Sequence, residues 1–175
     1  MLTIFLSFVL VGFAACQLEI STRLNLTFPT EELSDEDMQE WSTFINIIRD
    51  NATTREQKLS KISALLVNET TDEKNEVLEE AELAIELNEW LQEKVKDVDP
   101  KVKDVFNKIY NLLSDSSFLK ETPKERVAQV ETILRPLNDS ELIELEKLDE
   151  MSKEKAKEMG ISEAMSLEKK RRRRR

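Results

Sequence analysis

The chain contains no histidine, one cysteine, two glycines and four prolines among its 175 residues. Histidine is the usual acid–base group at neutral pH and the commonest metal ligand, so its absence removes most catalytic and transition-metal sites. An average chain of this length has about a dozen glycines, and the deficit argues against β-sandwiches, β-barrels and glycine-rich phosphate loops. We therefore expect an all-α protein that is not an enzyme.

The N-terminal segment has the layout of a secretory signal peptide. Residues 1–16 carry no charge, and Ile4–Ala15 is an apolar run followed by small residues. This run is shorter than the ~20 residues of a membrane span. The sequence predicts a signal peptide over 1–16, cleaved after Cys16, and a loose leader over 17–32; the alternative is a buried N-terminal helix. Cleavage would leave a secreted protein without a disulfide.

Four acceptor patterns for N-linked glycans also indicate secretion. The pattern Asn-x-Ser/Thr requires a surface position in a secreted protein. It occurs at Asn25, Asn51, Asn68 and Asn138. We predict glycosylation at these four positions, although asparagine turns and Ser/Thr caps also cluster together without it.

The charge is divided between an acidic body and a basic end. Residues 17–168 contain all 36 acids and 19 of the 26 cations, whereas the last seven residues are all cationic. These seven residues, the polybasic tail, are Lys169, Lys170, Arg171, Arg172, Arg173, Arg174 and Arg175. The tail is a candidate site for a host polyanion, either a glycan or an anionic membrane. It also resembles a nuclear import signal, which would require entry into a host cell, and the remaining alternative is an uncommitted charged end. No aromatic residue interleaves with the cations, so specific nucleic-acid readout is not expected.

Recurring capping boxes predict where the helices begin. Each box places a Ser, Thr or Asn cap three residues before an acid and so satisfies exposed amide donors at the helix start. The boxes are Ser34–Asp37, Thr53–Glu56, Thr70–Glu73, Thr122–Glu125 and Asn138–Glu141, and Asp99-Pro100 marks a further start. The third helix, to about Val98, carries two apolar stripes and is therefore expected to lie at the centre. We predict six to seven helices in a domain over 33–152 and a charged tail over 153–175.

An internal repeat spans residues 44–67 and 109–137. Asn46–Asp50 matches Asn111–Asp115 at an offset of 65, and the helix that follows Thr54 matches the one that follows Thr122 at an offset of 68. Each copy is a helix, a short loop and a Thr-capped helix. This pattern predicts two helix–loop–helix units around the long central helix, unless two amphipathic hairpins are alike by chance.

The repeat resembles the secreted nematode antigens of the SXP/RAL type, which share an anisakid-allergen-like cation-binding domain. Three segments between Phe44 and Leu145 are similar to that family. They are Phe44-Ile-Asn-Ile-Ile-Arg-Asp-Asn-Ala-Thr-Thr-Arg-Glu-Gln-Lys58, Val98-Asp99-Pro100 and Ile133-Leu-Arg-Pro-Leu137. The resemblance implies an all-α secreted antigen with a weak site for Ca²⁺ or Mg²⁺.

A second family is also similar in pattern, namely the nematode fatty-acid and retinol-binding proteins. The similar segments are Leu33-Ser-Asp-Glu-Asp37 and Lys94-Val-Lys-Asp-Val-Asp-Pro100. This resemblance implies an all-α carrier of a small lipid. Such a carrier needs an apolar cavity, and the candidate lining residues are Trp41, Phe44, Trp90, Phe106, Tyr110 and Phe118, which could equally form the core.

Oxygen-bearing residues in the two loops of the repeat are the candidate ligands for a cation. Ca²⁺ takes 6–8 oxygen ligands, and neither loop has the glycine and acidic spacing of an EF-hand. The candidates are Asp50, Asn51, Thr53, Glu56, Asp115, Ser117 and Glu121. The alternative is that these residues cap helices and solvate loops. The central helix adds a solvated acidic face that attracts divalent cations diffusely through its field, comprising Glu76, Glu79, Glu80, Glu82, Glu86 and Glu89.

Overall fold

The computed structural model describes residues 35–112 and 114–161, and this part of the chain folds into seven α-helices. They are α1 (Asp35–Arg49), α2 (Arg55–Leu65), α3 (Thr71–Lys94), α4 (Pro100–Leu112), α5 (Ser116–Leu119), α6 (Pro123–Leu134) and α7 (Asp139–Glu158). A 3-10 turn over Val95–Asp97 follows α3. Within these ranges there is no strand, which confirms the predicted all-α class with six to seven helices. No described helix is both long enough and apolar enough to cross a membrane. The predicted signal peptide, the leader, Asn25 and the polybasic tail lie outside the described residues.

Capping boxes begin four of the helices. The side chains of Thr70, Thr122 and Asn138 each accept a hydrogen bond from the third amide of the helix, as predicted. The backbone amide of each cap donates in turn to the side chain of the glutamate at that third position. The second helix differs by one residue, since Thr54 is the cap and pairs with Gln57. Thr54 has the extended backbone of an N-cap and accepts from the Gln57 amide at 3.3 Å, whereas the Thr53 hydroxyl donates to the Asp50 carbonyl oxygen.

The capping acids make the stability of the fold sensitive to acid. Hydrogen bonds from Thr70 lower the pKa of Glu73, those from Thr122 lower the pKa of Glu125, and Lys101 with the Asn138 amide lowers the pKa of Glu141. A carboxyl whose pKa is lowered by folding contributes stability above its unfolded pKa and loses it as the pH falls through its folded pKa. We expect the free energy of unfolding, measured by urea titration, to fall as the pH drops below about 4.5.

The matched control is the triple variant Glu73→Gln, Glu125→Gln and Glu141→Gln. Glutamine still accepts the amide hydrogen bond of a capping box but does not titrate. The variant should therefore show a shallower loss of stability between about pH 5 and pH 3. Burial raises the pKa of Asp149, so this group changes the stability with pH in the opposite direction. Its contribution is the same in the natural protein and in the triple variant. Equal slopes in the two proteins would contradict the assignment of the acid sensitivity to the caps.

The first hydrophobic core joins α1 and α2 to the N-terminal part of α3. Ile48, Ile62, Val77, Ala81 and Ala84 are completely buried in it. These positions repeat at intervals of three or four residues along their helices, which places them on one face of each helix. Because α1, α2 and α7 all pack against it, α3 is the central helix that the two apolar stripes predicted.

The second core joins α4, α5, α6 and α7. Phe118 of the short helix α5 is 1% exposed and packs among Val105, Val130 and Leu145. A small third cluster, formed by Leu91, Val95, Tyr110 and Leu148, lies between the two larger cores. The two cores are therefore connected through the C-terminal end of α3.

Equivalent positions in the two copies of the repeat have equivalent environments. The capping boxes at Thr54 and Thr122 are separated by 68 residues, as are those at Thr70 and Asn138. Two pairs of core residues follow the same offset and are buried in both copies, namely Ile62 with Val130 and Leu66 with Leu134. The repeat therefore extends from two helices per copy to three, and α3 in the first copy is equivalent to α7 in the second.

The C-terminal helix continues beyond the predicted domain boundary at residue 152. Helix α7 ends at Glu158, and Ala156 and Ile161 are buried in the first core. Gly160 has a φ of 76° just after the end of the helix. The sequence did not predict this extension because Ala156 is small and Ile161 is an isolated aliphatic residue. Together they give only a weak periodic pattern.

Candidate functional site

The first candidate cation loop is held together by its own hydrogen bonds. The Asp50 carboxylate accepts from the Ala52 amide at 3.0 Å and from the Lys61 ammonium at 3.3 Å. These contacts, led by the amide, lower the pKa of Asp50. Asn51 and Glu56 are exposed. The Asp50 oxygens therefore stabilise the turn between α1 and α2.

The second candidate loop contains a helix that the sequence did not predict. Asp115 is the N-cap of α5, where one carboxylate oxygen accepts from the Ser117 hydroxyl at 2.7 Å and from the Ser117 amide at 2.8 Å. These two bonds lower the pKa of Asp115. Glu121 accepts a hydrogen bond from the Gln129 side chain. Within residues 35–112 and 114–161, no group of three or more His, Cys, Asp or Glu side chains could hold a metal ion.

Three of the four predicted glycan acceptors lie in the described ranges and are exposed. Asn51 and Asn68 lie in the loops before α2 and α3. Asn138 caps α7 through its side-chain oxygen, which accepts from the Glu141 amide at 3.0 Å and the Ser140 hydroxyl at 2.7 Å. Because a glycan is attached through the nitrogen, this oxygen could keep its capping role in a glycosylated protein.

The aromatic residues proposed to line a lipid cavity are distributed over different cores. Phe44 is buried in the first core and Phe118 in the second. Phe106 stacks on Tyr110 with ring centroids 5.3 Å apart, and Trp90 packs against the first and third clusters. Trp90, Phe106 and Tyr110 share the third cluster, whereas Phe44 and Phe118 belong to the first and second cores.

A buried polar network connects four helices where the cores meet. The Ile48 carbonyl oxygen, near the end of α1, accepts from the Lys58 ammonium at 2.7 Å and from the Asn88 amide at 3.3 Å. Tyr110 donates its hydroxyl hydrogen bond to the Asn88 oxygen. The guanidinium of Arg49 lies 3.2 Å from the centroid of the Tyr110 ring.

Burial shifts the pKa values of two side chains in this network. Lys58 is 2% exposed and Asn88 is 1% exposed. Desolvation lowers the pKa of Lys58, and burial raises the pKa of Tyr110 to about 12. The helix C-terminus carries partial negative charge, so an ammonium directed at a terminal carbonyl is favourable there. The sequence did not predict the burial of Lys58, which shares a helix face with Ile62 and Leu66.

A row of glutamates lies on the exposed face of α3. We call it the acidic stripe, and it consists of Glu79, Glu82, Glu86, Glu89 and Glu93, all exposed. At 3.6 residues per turn, this spacing forms one row on the side opposite the buried Val77, Ala81, Ala84 and Leu91. Glu76 and the half-buried Glu80, which the sequence grouped with this face, both lie on one side of the row.

A cation from a neighbouring helix pairs with one glutamate of the stripe. Arg55 of α2 forms an ion pair with Glu89 at 2.6 Å. Its pKa is raised chiefly by that hydrogen bond, with electrostatic contributions from Glu86 and Glu82. At the end of the stripe Lys96 pairs with Glu93. The stripe therefore keeps an excess of negative charge.

No family model, no curated protein and no solved structure matches this chain. The resemblances to the SXP/RAL-type antigens and to the fatty-acid and retinol-binding proteins therefore remain interpretations of the sequence.

Proposed function

We propose that the protein is a secreted, non-catalytic binding protein that takes up divalent cations weakly on its acidic stripe. The observation that carries this proposal is the exposed row of five glutamates, Glu79–Glu93, on one face of the central helix. The predicted signal peptide, the four sequons and the resemblance to secreted nematode antigens support the secreted setting and a role as an antigen.

The geometry favours diffuse binding over a closed coordination site. A Ca²⁺ ion needs 6–8 oxygens around it, and one row on a convex helix supplies them from a single side only. Ions on the stripe therefore keep most of their water and are held by the summed field of the carboxylates. Such binding is weak and is screened by salt over a Debye length of about 8 Å at physiological ionic strength.

The two loops of the repeat are poorer candidates than the stripe. The carboxylates of Asp50 and Asp115 already accept two hydrogen bonds each from their own loops. A cation at Asp50 would compete with the Lys61 ammonium, and at Asp115 one carboxylate oxygen already accepts both the hydroxyl and the amide of Ser117. We therefore assign the cation binding to the stripe.

Calorimetric titration with CaCl₂ and MgCl₂ tests this assignment. In the variant Glu79→Gln, Glu82→Gln and Glu86→Gln, three carboxylates are neutralised while both ion pairs at Glu89 and Glu93 are kept. We expect the apparent Ca²⁺ affinity to fall at least about threefold at low salt, because each exposed charge contributes a few tenths of a kcal/mol at this range.

The matched control neutralises three exposed acids on other helices, namely Glu131→Gln, Glu150→Gln and Glu154→Gln. It changes the net charge equally and should lose much less Ca²⁺ affinity than the stripe variant. Equal losses in the two variants, or a loss produced instead by Asp50→Asn with Asp115→Asn, would refute the assignment to the stripe. Saturable binding of a fluorescent fatty acid, displaced by oleate and unaffected by CaCl₂, would favour the lipid-carrier alternative.

A further inference from the structure

We propose that the polybasic tail, Lys169–Arg175, docks on the acidic stripe of its own chain and competes there with divalent cations. The tail and the stripe would then mask each other until a stronger polyanion or a high cation concentration separates them. This inference rests on the proposed function, because it regulates the same surface.

The place where the chain leaves the described part brings the tail close to the stripe. Ala156 and Ile161 are 3% and 0% exposed and belong to the first core. That core also contains Val77, Ala81 and Ala84, which form the buried face of the N-terminal half of α3. The last described residue is therefore anchored beside the helix that carries the stripe.

The connecting segment is long enough to reach around α3. Eight peptide steps separate Ile161 from Lys169, and an extended chain spans about 26 Å over that number of steps. A helix with its side chains is about 10–12 Å across. The tail can therefore pass from the buried side of α3 to its outer face.

The tail and the stripe match in length and in charge. Glu79 and Glu93 are 14 residues apart, which is about 21 Å along a helix. The seven tail residues span about 20 Å when extended. Seven cations would face five carboxylates, and the guanidinium groups of Arg171–Arg175 suit carboxylates because they form paired, charge-assisted hydrogen bonds.

Some acids of the described ranges already form ion pairs, whereas three carboxylates of the stripe do not. Asp104, Asp149 and Glu141 form ion pairs with Lys108, Lys153 and Lys101. By contrast, Glu79, Glu82 and Glu86 form no ion pair within 4.0 Å with any cation of the described ranges. The tethered tail is therefore offered three neighbouring carboxylates that form no ion pair within the described ranges.

The tether makes this contact competitive with free ions. A flexible link of this length gives the tail an effective concentration in the millimolar range at the stripe. Surface ion pairs are individually weak, so the docked tail should be displaced by salt or by a polyanion with denser charge.

Heparin chromatography of the full chain tests the docking. We compare the stripe variant Glu79→Gln, Glu82→Gln and Glu86→Gln with the control variant Glu131→Gln, Glu150→Gln and Glu154→Gln. The two carry the same net charge, so non-specific attraction to heparin rises equally. If the stripe holds the tail, the stripe variant releases it and should elute at higher NaCl than the control, by about 0.1 M. Elution of both variants at the same NaCl concentration would overturn the proposal.

A second measurement separates this inference from the proposed function. Replacing all seven tail cations by glutamine should raise the Ca²⁺ affinity of the stripe about threefold or more, because the competitor is removed. An unchanged affinity would overturn the docking while leaving cation binding by the stripe intact. Absence of Ca²⁺ binding with and without the tail cations would instead overturn the proposed function. The difference in heparin elution would still support the docking in that case.

Discussion

Replacing Phe118 with alanine is expected to lower the free energy of unfolding by about 3–5 kcal/mol. The ring is 1% exposed and packs in the second core with residues of α4, α6 and α7. Its loss removes apolar burial and leaves a cavity that the surrounding helices can fill only in part. The helix that carries it, α5, has four residues and is too short to be stable without its side-chain contacts.

The effect should extend to the packing of α1 against α5. Ser42 of α1 donates to the Ser114 carbonyl at 2.8 Å, and Lys120 pairs with Asp35 at 2.7 Å. Both contacts depend on the segment that Phe118 anchors. Urea unfolding measures the loss, and faster hydrogen exchange of amides in α5 and α6 locates it. The control Val67→Ala, at a side chain that is 74% exposed, should change stability by less than about 0.5 kcal/mol. A loss below about 1 kcal/mol for Phe118→Ala would contradict the packing described for α5.

Replacing Asn88 with alanine is expected to cost about 2–3 kcal/mol. The side chain is 1% exposed. Its amide nitrogen donates to the Ile48 carbonyl, and its amide oxygen accepts from the Tyr110 hydroxyl. Alanine removes both contacts at the point where α1, α3 and α4 meet. The buried hydroxyl of Tyr110 then loses an acceptor in a region of low dielectric, where an unmet hydrogen bond is costly.

A double-mutant cycle with Tyr110→Phe tests whether the two residues act together. If the Tyr110–Asn88 hydrogen bond is part of the native network, the double variant should be more stable than additivity implies, by about 1 kcal/mol. Thermal and urea unfolding of the four proteins measure this coupling. Additive losses within about 0.3 kcal/mol would contradict the network.

The helix starts were predictable because their chemistry is local. A cap and an acid three residues later predicted the beginnings of α3, α6 and α7 at Thr70, Thr122 and Asn138. The same reasoning was off by one residue at Thr54, where two threonines stand side by side and the second pairs with Gln57. Helix α5 was missed because four residues carry no periodic pattern, and its cap Asp115 was interpreted as a cation ligand.

The features that depend on tertiary contacts could not be predicted from the sequence. Lysine is common on exposed helix faces, so nothing in the sequence marks Lys58 as buried. Its burial follows from the position of the Ile48 carbonyl across the α1–α2 loop. Leu65 and Ile143 are aliphatic residues of α2 and α7, but they are 44% and 50% exposed. The sequence predicted a set of glutamates on the exposed face of the central helix. Which of them form a single row could be decided only once the buried side of α3 was known.

The central claim is that the acidic stripe of α3 is the surface where cations bind. Its most direct test is a CaCl₂ titration followed by amide chemical shifts in NMR spectra of the isotope-labelled protein. We expect the progressive shifts to concentrate in Glu79–Glu93 and in Arg55, the cation that approaches the stripe. Shifts confined to residues 50–56 and 115–121, or spread evenly over the exposed acids of all helices, would contradict the claim.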